Sequence, residues 1–146
     1  MSAAVDPGSV LLAGAAATVG GSLVLAVLPR HGRVAVDVPL AIGQRLALDA
    51  RSGFATGVVL HVAFGIAWAF VSALLWWWTD MPIGPLSGAL FALPQWLAAE
   101  IAIGAVAARE DLGGRRAFAP HRESLTLLGS HLIYGALFGT VYKPGS

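Results

Sequence analysis

Four long apolar stretches alternate with short polar segments along the chain. The apolar stretches cover residues 9–28, 53–77, 84–108 and 124–142, and the two longer polar segments cover residues 29–52 and 109–123. A helix rises 1.5 Å per residue, so about 20 apolar residues are enough to cross the hydrocarbon core of a bilayer. The pattern predicts an all-α integral membrane protein, a bundle of four transmembrane helices in a single domain.

The composition supports lipid as the surroundings of these helices. Hydrophobic residues make up 57% of the 146 residues, charged residues make up 12%, and the mean hydropathy is +0.75. A soluble domain of this size has too little interior for so much apolar surface. We therefore expect a multi-pass protein of the cell (cytoplasmic) membrane. The net charge of +1 gives no reason to expect a nucleic-acid partner, and the absence of cysteine excludes disulfides and thiol chemistry.

The first stretch differs from a secretory signal peptide. Its preceding residues contain Asp6 and neither lysine nor arginine, whereas a signal peptide begins with a basic segment. We expect this stretch to remain as a helix of the mature protein.

The cations predict how the helices are oriented. Eight arginines lie in or at the edge of the two longer polar segments: Arg30, Arg33, Arg45, Arg51, Arg109, Arg115, Arg116 and Arg122. The other ends of the stretches carry Asp6, Asp80 and a single cation, Lys143. Because cytoplasmic loops are enriched in cations, both termini are predicted to lie outside the cytoplasm.

The flanking segments suggest contacts with the membrane surface. Trp76, Trp77 and Trp78 suit an aromatic belt at the outer interface, and a core aromatic cluster is the alternative. The run from Pro39 has helical character and is interpreted as a short helix on the inner membrane surface, with a solvated loop as the alternative. His31 and His121 are expected to be ordinary surface residues.

The sequence contains an internal similarity. HVAFGIAW from His61 aligns with HLIYGALF from His131, and LAGA from Leu12 aligns more weakly with LSGA from Leu86. The two offsets, 70 and 74 residues, are nearly equal. This pattern predicts two copies of one helical hairpin, related by a pseudo-two-fold axis along the membrane normal.

Three ionisable residues interrupt the apolar stretches at one expected depth. His61 and His131 follow Arg51 and Arg122 by ten and nine residues, and Glu100 precedes Arg109 by nine. Ionisable residues inside a membrane usually face the bundle interior and mark a functional site. We expect the three side chains to converge there.

Small residues in rows of i, i+4 spacing predict the packing faces, because they let helix backbones approach closely. The predicted packing glycines are Gly57, Gly65, Gly84, Gly88, Gly104, Gly135 and Gly139. Pro94 is expected to kink the third helix and to leave the carbonyl of Leu90 without its helical partner.

The polar residues allow several roles. Glu100 could accept hydrogen bonds from the imidazoles and hold the bundle in register. His61 and His131 could ligate a b-type haem, with the glycine after each histidine leaving room for the porphyrin. The three could also form a proton or cation path. A metal site built from them is chemically conceivable, although the sequence lacks the usual ligand spacing. No nucleophile elbow, phosphate-binding loop or pair of catalytic carboxylates is present.

Three segments resemble a known family. LPRHGRVAVDVPLAIG, GVVLHVAFGIAWAFVSALL and SHLIYGALFGTVY are similar to the YagU-like group of small prokaryotic inner-membrane proteins. The resemblance covers most of the chain and is weakest in the third stretch, around Trp96 and Glu100. It implies a four-helix membrane protein of unknown biochemical activity.

Three functional hypotheses follow. The leading one is an accessory or scaffolding subunit that packs against other membrane proteins or copies of itself. The alternatives are a haem-binding electron-transfer protein and a small transporter or proton-conducting protein.

Overall fold

The structure is a computed structural model that describes residues 4–27, 50–109 and 122–145. These residues form four α-helices, which confirms the predicted all-helical fold. The helices are α1 (Pro7–Val27), α2 (Ala50–Thr79), α3 (Pro85–Arg109) and α4 (Arg122–Val141). Each boundary lies within three residues of the predicted one. The surface helix expected from Pro39 lies outside the described residues.

Local sequence signals explain where α1 begins. The carboxylate of Asp6 accepts a hydrogen bond from the Gly8 N–H at 3.0 Å, and its carbonyl accepts the Val10 N–H. Pro7 takes the first helical position, where a missing N–H costs nothing. Asp6 is therefore the N-cap of α1.

The connection between α2 and α3 uses an uncommon backbone conformation. Asp80 has a φ of 51°, and its N–H still donates to the Trp76 carbonyl at 3.1 Å. Aspartate tolerates this left-handed conformation better than most residues, so it ends α2 and turns the chain. Pro85 then starts α3 after the Gly84 carbonyl, which accepts the Gly88 N–H.

Both chain termini and the α2–α3 connection lie at one end of the bundle, called here the termini end. The Gly145 N–H donates to the Ala4 carbonyl at 2.8 Å, and the Lys143 N–H donates to Ser9 Oγ at 2.9 Å. The chain therefore crosses the bundle an even number of times.

The helices are unequally packed. α1 packs against α2 and α4, and α4 packs most closely against α3. The contact between α2 and α3 is the thinnest of the four interfaces between neighbours. A complete pseudo-two-fold arrangement would make this interface match that of α1 with α4, so the expected symmetry is not fully present.

Glycines bring the backbones of α3 and α4 into direct contact. A Cβ atom added to Gly88 would overlap the carbonyl of Gly135, and one added to Gly135 would overlap the carbonyl of Gly88. A Cβ on Gly139 would overlap the carbonyl of Gly84. These predicted packing glycines thus lie where two backbones meet.

The other predicted packing glycines have different surroundings. Gly65 lies against the Thr18 side chain of α1, while a Cβ on Gly84 would meet nothing within 4 Å. Gly57 is buried, and the surroundings of Gly104 lie outside the described part of the chain. Gly14, which was not predicted, packs on Ile66 and Ala69 of α2.

The two hairpins use matching positions for their internal contacts. Adding 74 to positions in α1 and 70 to positions in α2 gives positions in α3 and α4 that make the corresponding contacts. The contact of Gly14 with Ala69 in the first hairpin corresponds to the contact of Gly88 with Gly139 in the second. The contact of Thr18 with Gly65 corresponds in the same way to the contact of Ala92 with Gly135.

An aromatic cluster fills the core at the termini end. The Trp76 ring lies 5.5 Å from Phe91, 5.6 Å from Phe138 and 5.8 Å from Tyr142. Its indole N–H donates to Ser87 Oγ at 3.0 Å. This cluster closes the bundle at that end.

The three consecutive tryptophans do not share one role. Trp76 is only 3% exposed, whereas Trp77 and Trp78 are 51% and 76% exposed. Successive helical residues are about 100° apart, so three in a row cannot all point away from the core. The prediction of an interfacial anchor is therefore wrong for Trp76.

Much of the helical surface is apolar and uncovered. Two helical segments, Ser52–Thr79 and Ser124–Val141, are long and apolar enough to cross a membrane, and Pro7–Leu23 is a shorter apolar helix. Large side chains such as Leu12 and Leu86 are 76% and 85% exposed. Such a surface suits lipid better than water.

Replacing Gly135 by alanine should destabilise the bundle, because the new Cβ collides with the Gly88 backbone and forces α3 from α4. We expect a loss of about 2 kcal/mol or more in the free energy of unfolding. Gly129→Ala on the same helix is the matched control, since its Cβ would meet nothing within 4 Å. Unfolding in detergent followed by circular dichroism measures both, and equal stability of the two variants would contradict the close backbone contact.

Candidate functional site

Three ionisable side chains from three helices form the candidate site, called here the polar layer. It consists of His61 on α2, Glu100 on α3 and His131 on α4, all partly exposed. His61 and His131 lie within electrostatic reach of each other, and so do His131 and Glu100. The structure therefore places His131 near both of the other residues, whereas no hydrogen bond or ion pair joins His61 to Glu100 among the described residues.

The imidazole of His61 is held by α1. Its Nε2 lies 3.2 Å from Ser22 Oγ, and the Ser22 hydroxyl donates to the Thr18 carbonyl at 2.8 Å. Because the Ser22 hydroxyl proton already takes part in the bond to Thr18, the Nε2–H of His61 is the donor to Ser22 Oγ. The other nitrogen, Nδ1, is then the proton acceptor of the neutral ring.

The imidazole of His131 is held by its own helix. Its Nδ1 lies 2.8 Å from the Leu127 carbonyl, which can only accept, so Nδ1–H is the donor. Ser130 Oγ lies 3.4 Å from the same nitrogen. In the neutral ring, Nε2 of His131 remains as a proton acceptor.

Glu100 is bound by a neighbouring indole. Its Oε1 accepts the Nε1–H of Trp96, one turn earlier on α3, at 3.2 Å. The expected hydrogen bond from an imidazole to Glu100 is not among those of the described residues, where each member of the layer has a different partner. The layer thus holds three neighbouring ionisable groups that do not neutralise one another through a direct bond.

A tyrosine lies between the layer and the aromatic cluster. Tyr134, one turn after His131 on α4, donates its hydroxyl hydrogen bond to the Gly65 carbonyl of α2 at 2.5 Å. Its ring stacks on Phe138, with 6.4 Å between centroids. Tyr134 therefore joins two helices and separates the layer from the termini end.

A side chain of α2 donates a hydrogen bond to the backbone of α3 close to Pro94. Pro94 lacks the N–H that the Leu90 carbonyl would accept, and Trp68 donates its indole N–H to the adjacent Phe91 carbonyl at 3.2 Å. Nearby, the buried Gln95 Oε1 has no hydrogen-bond partner among the described residues.

The two glycines expected to leave room for a haem are in contact with neighbouring helices. The glycine after His61, Gly65, lies against Thr18, and the glycine after His131, Gly135, lies against Gly88. The room for a porphyrin that motivated the haem hypothesis is therefore missing at both glycines. Within the described ranges, no group of three or more His, Asp or Glu side chains is arranged to hold a metal ion.

Several contributors to the site were not identified from the sequence. Ser22 and Tyr134 carry the bonds between helices, and Trp96 carries the bond to Glu100. The i, i+4 spacing of Trp96 and Glu100 is a usable sequence signal for their contact. A serine or tyrosine in an apolar helix gives no comparable indication of its partner.

Comparison with known proteins adds no identification. No protein-family model matches the chain, and no curated protein or solved structure matches it either. The resemblance to the YagU-like group stays a prediction.

Replacing Tyr134 by phenylalanine should remove the bond between α4 and α2 and leave the buried Gly65 carbonyl without its side-chain donor. We expect a loss of about 1 kcal/mol in the free energy of unfolding. Thr140→Val is the control, because the exposed Thr140 hydroxyl bonds only the Ala136 carbonyl of its own helix. Unfolding in detergent measures both variants, and a Tyr134→Phe protein as stable as the control would show that the bond contributes nothing.

Proposed function

We propose that the chain crosses the cell (cytoplasmic) membrane four times, with both termini outside and the arginine-rich segments 29–52 and 109–123 in the cytoplasm. The exposed apolar side chains support insertion, and the placement of both termini at one end fits an even number of crossings. The distribution of arginines supports the orientation. The matched contacts of the two hairpins support an origin by duplication.

Within this membrane protein, the polar layer acts as a proton- or cation-binding centre of a small transporter or proton-conducting protein. The observation that carries the proposal is that His131 lies within electrostatic reach of both His61 and Glu100, while no direct bond joins the three side chains among the described residues. Ionisable side chains at membrane depth are costly and are typical of proton and ion pathways.

The charge of the polar layer determines which kind of ligand it binds. With Glu100 ionised and both imidazoles neutral, the layer carries one negative charge. One proton, or one monovalent cation, balances that charge and removes the cost of leaving it unpaired in a low-dielectric interior. The ring nitrogens that carry no proton in this arrangement, Nδ1 of His61 and Nε2 of His131, can accept the proton.

The packing favours a carrier over an open channel. On the side of the termini end, Tyr134 and the aromatic cluster around Trp76 fill the bundle. A proton at the layer therefore reaches the outside only if the helices move. The thin contact between α2 and α3 makes movement of one hairpin against the other the least costly such change.

An accessory subunit is the second candidate function. It is favoured by the long uncovered apolar face of α2, where Val59, Phe64 and Trp78 are each more than half exposed. Other membrane proteins or further copies of this chain are the partners that would cover such a face. In this case the polar layer positions helices and does not carry ions.

Glu100→Gln should abolish proton flux in proteoliposomes, because the amide cannot carry the negative charge that binds the cation. We expect a decrease of about tenfold or more in the initial rate of pH change after a potassium–valinomycin potential is applied. Asp80→Asn is the matched control: it changes a carboxylate outside the layer, and asparagine also tolerates the positive φ of that position.

Unchanged flux in Glu100→Gln protein would contradict the transport proposal. A wild-type protein that shows no flux and purifies from mild detergent in a defined complex would support the accessory role instead.

A further inference from the structure

Trp96 and Glu100 form an acid–indole pair on one face of α3. The indole N–H donates to Glu100 Oε1 at 3.2 Å, and both side chains are partly exposed. The bond uses the edge of the indole and one carboxylate oxygen. A carboxylate can accept several hydrogen bonds, and the face of the indole ring is not involved in this one.

We propose that this pair binds a hydrophobic organic monocation, which the layer exchanges for a proton; the inference rests on the proposed transport function. An ionised carboxylate next to an indole provides the two main attractions for such a cation, a charge pair and a cation–π contact. Leu93 and Leu97, three residues before Trp96 and Glu100, add partly exposed apolar surface beside the pair.

Other classes of ligand fit the same residues less well. Hard metal ions require several oxygen ligands, and no three-residue metal-binding group of His, Asp and Glu occurs in the described part of the chain. An anion would be repelled by Glu100. A neutral molecule would leave the carboxylate charge without a partner.

A comparison of the two hairpins indicates that the helical fold does not require the Trp96–Glu100 pair. The offset of 74 relates Trp96 to Ser22 and Glu100 to Ala26. Gly14 and Gly88 occupy matching contacts in the two hairpins. The first hairpin therefore has a serine and an alanine where the second has an indole and a carboxylate, which is a difference expected of a ligand site rather than of a packing contact.

The charge balance links the ligand to the proton. The proton held by the layer leaves when the monocation pairs with Glu100, and the net charge of the layer is unchanged. His131, which interacts with Glu100, can accept or release that proton. Binding and proton release must then be reciprocal, so a lower proton concentration favours the cation.

The test measures binding of radiolabelled tetraphenylphosphonium to the full-length protein in detergent, with tetraphenylborate as an anion of the same shape. The wild type should bind the cation and release about one proton per cation, measured with a pH dye at low buffer concentration. Affinity should fall about tenfold or more in Glu100→Gln. It should fall about threefold to thirtyfold in Trp96→Leu, with Trp96→Phe between that variant and the wild type.

Asp80→Asn should bind like the wild type, and tetraphenylborate should not compete. The proposal is overturned if Glu100→Gln binds as tightly as the wild type, if tetraphenylborate binds equally well, or if no proton is released. Proton flux that depends on Glu100 without binding of tetraphenylphosphonium would overturn this inference alone and leave the proposed transport function intact.

Discussion

The contact on which the rest of the bundle depends is the backbone-to-backbone packing of Gly88 with Gly135. Nothing larger than a hydrogen atom fits between these two helices at that point. The contact fixes the distance between α3 and α4 and brings Phe91 and Phe138 together around Trp76. In the proposed membrane, where lipid offers no hydrophobic drive for helix association, such close packing is the main attraction available.

The same rows of residues explain where the polar layer forms. Along α3 the row of small residues from Gly84 is interrupted by Trp96 and Glu100, and along α4 the corresponding row from Gly139 ends at His131. Large polar side chains cannot pack as closely as glycines, so the layer begins where the backbone contact ends. The bundle thus has a tightly closed aromatic end and a polar region beyond Tyr134.

The helices and the approach of His131 to both His61 and Glu100 were predictable because both follow from simple periodicity. The lengths of the apolar stretches predicted the four helices. The i, i+4 rows of small residues predicted the helix faces that carry His61, Glu100 and His131. The partners of these residues were not predictable, since hydrogen bonds depend on helix rotation and on the choice of neighbour. The sequence led us to expect an imidazole bonded to Glu100, but Trp96 occupies that position. Trp76 was assigned to the surface because a run of three tryptophans does not show which ring faces inward.

The most direct test is whether a substitution at one residue of the polar layer changes the titration of another. Imidazole ¹⁵N resonances can be followed against pH in nanodiscs, with His31 and His121 as internal references. We expect that Glu100→Gln changes the titration of His131, that His131→Gln changes the titration of His61, and that the two references do not respond. Independent titration of His61 and His131, unaffected by either substitution, would contradict a common polar layer.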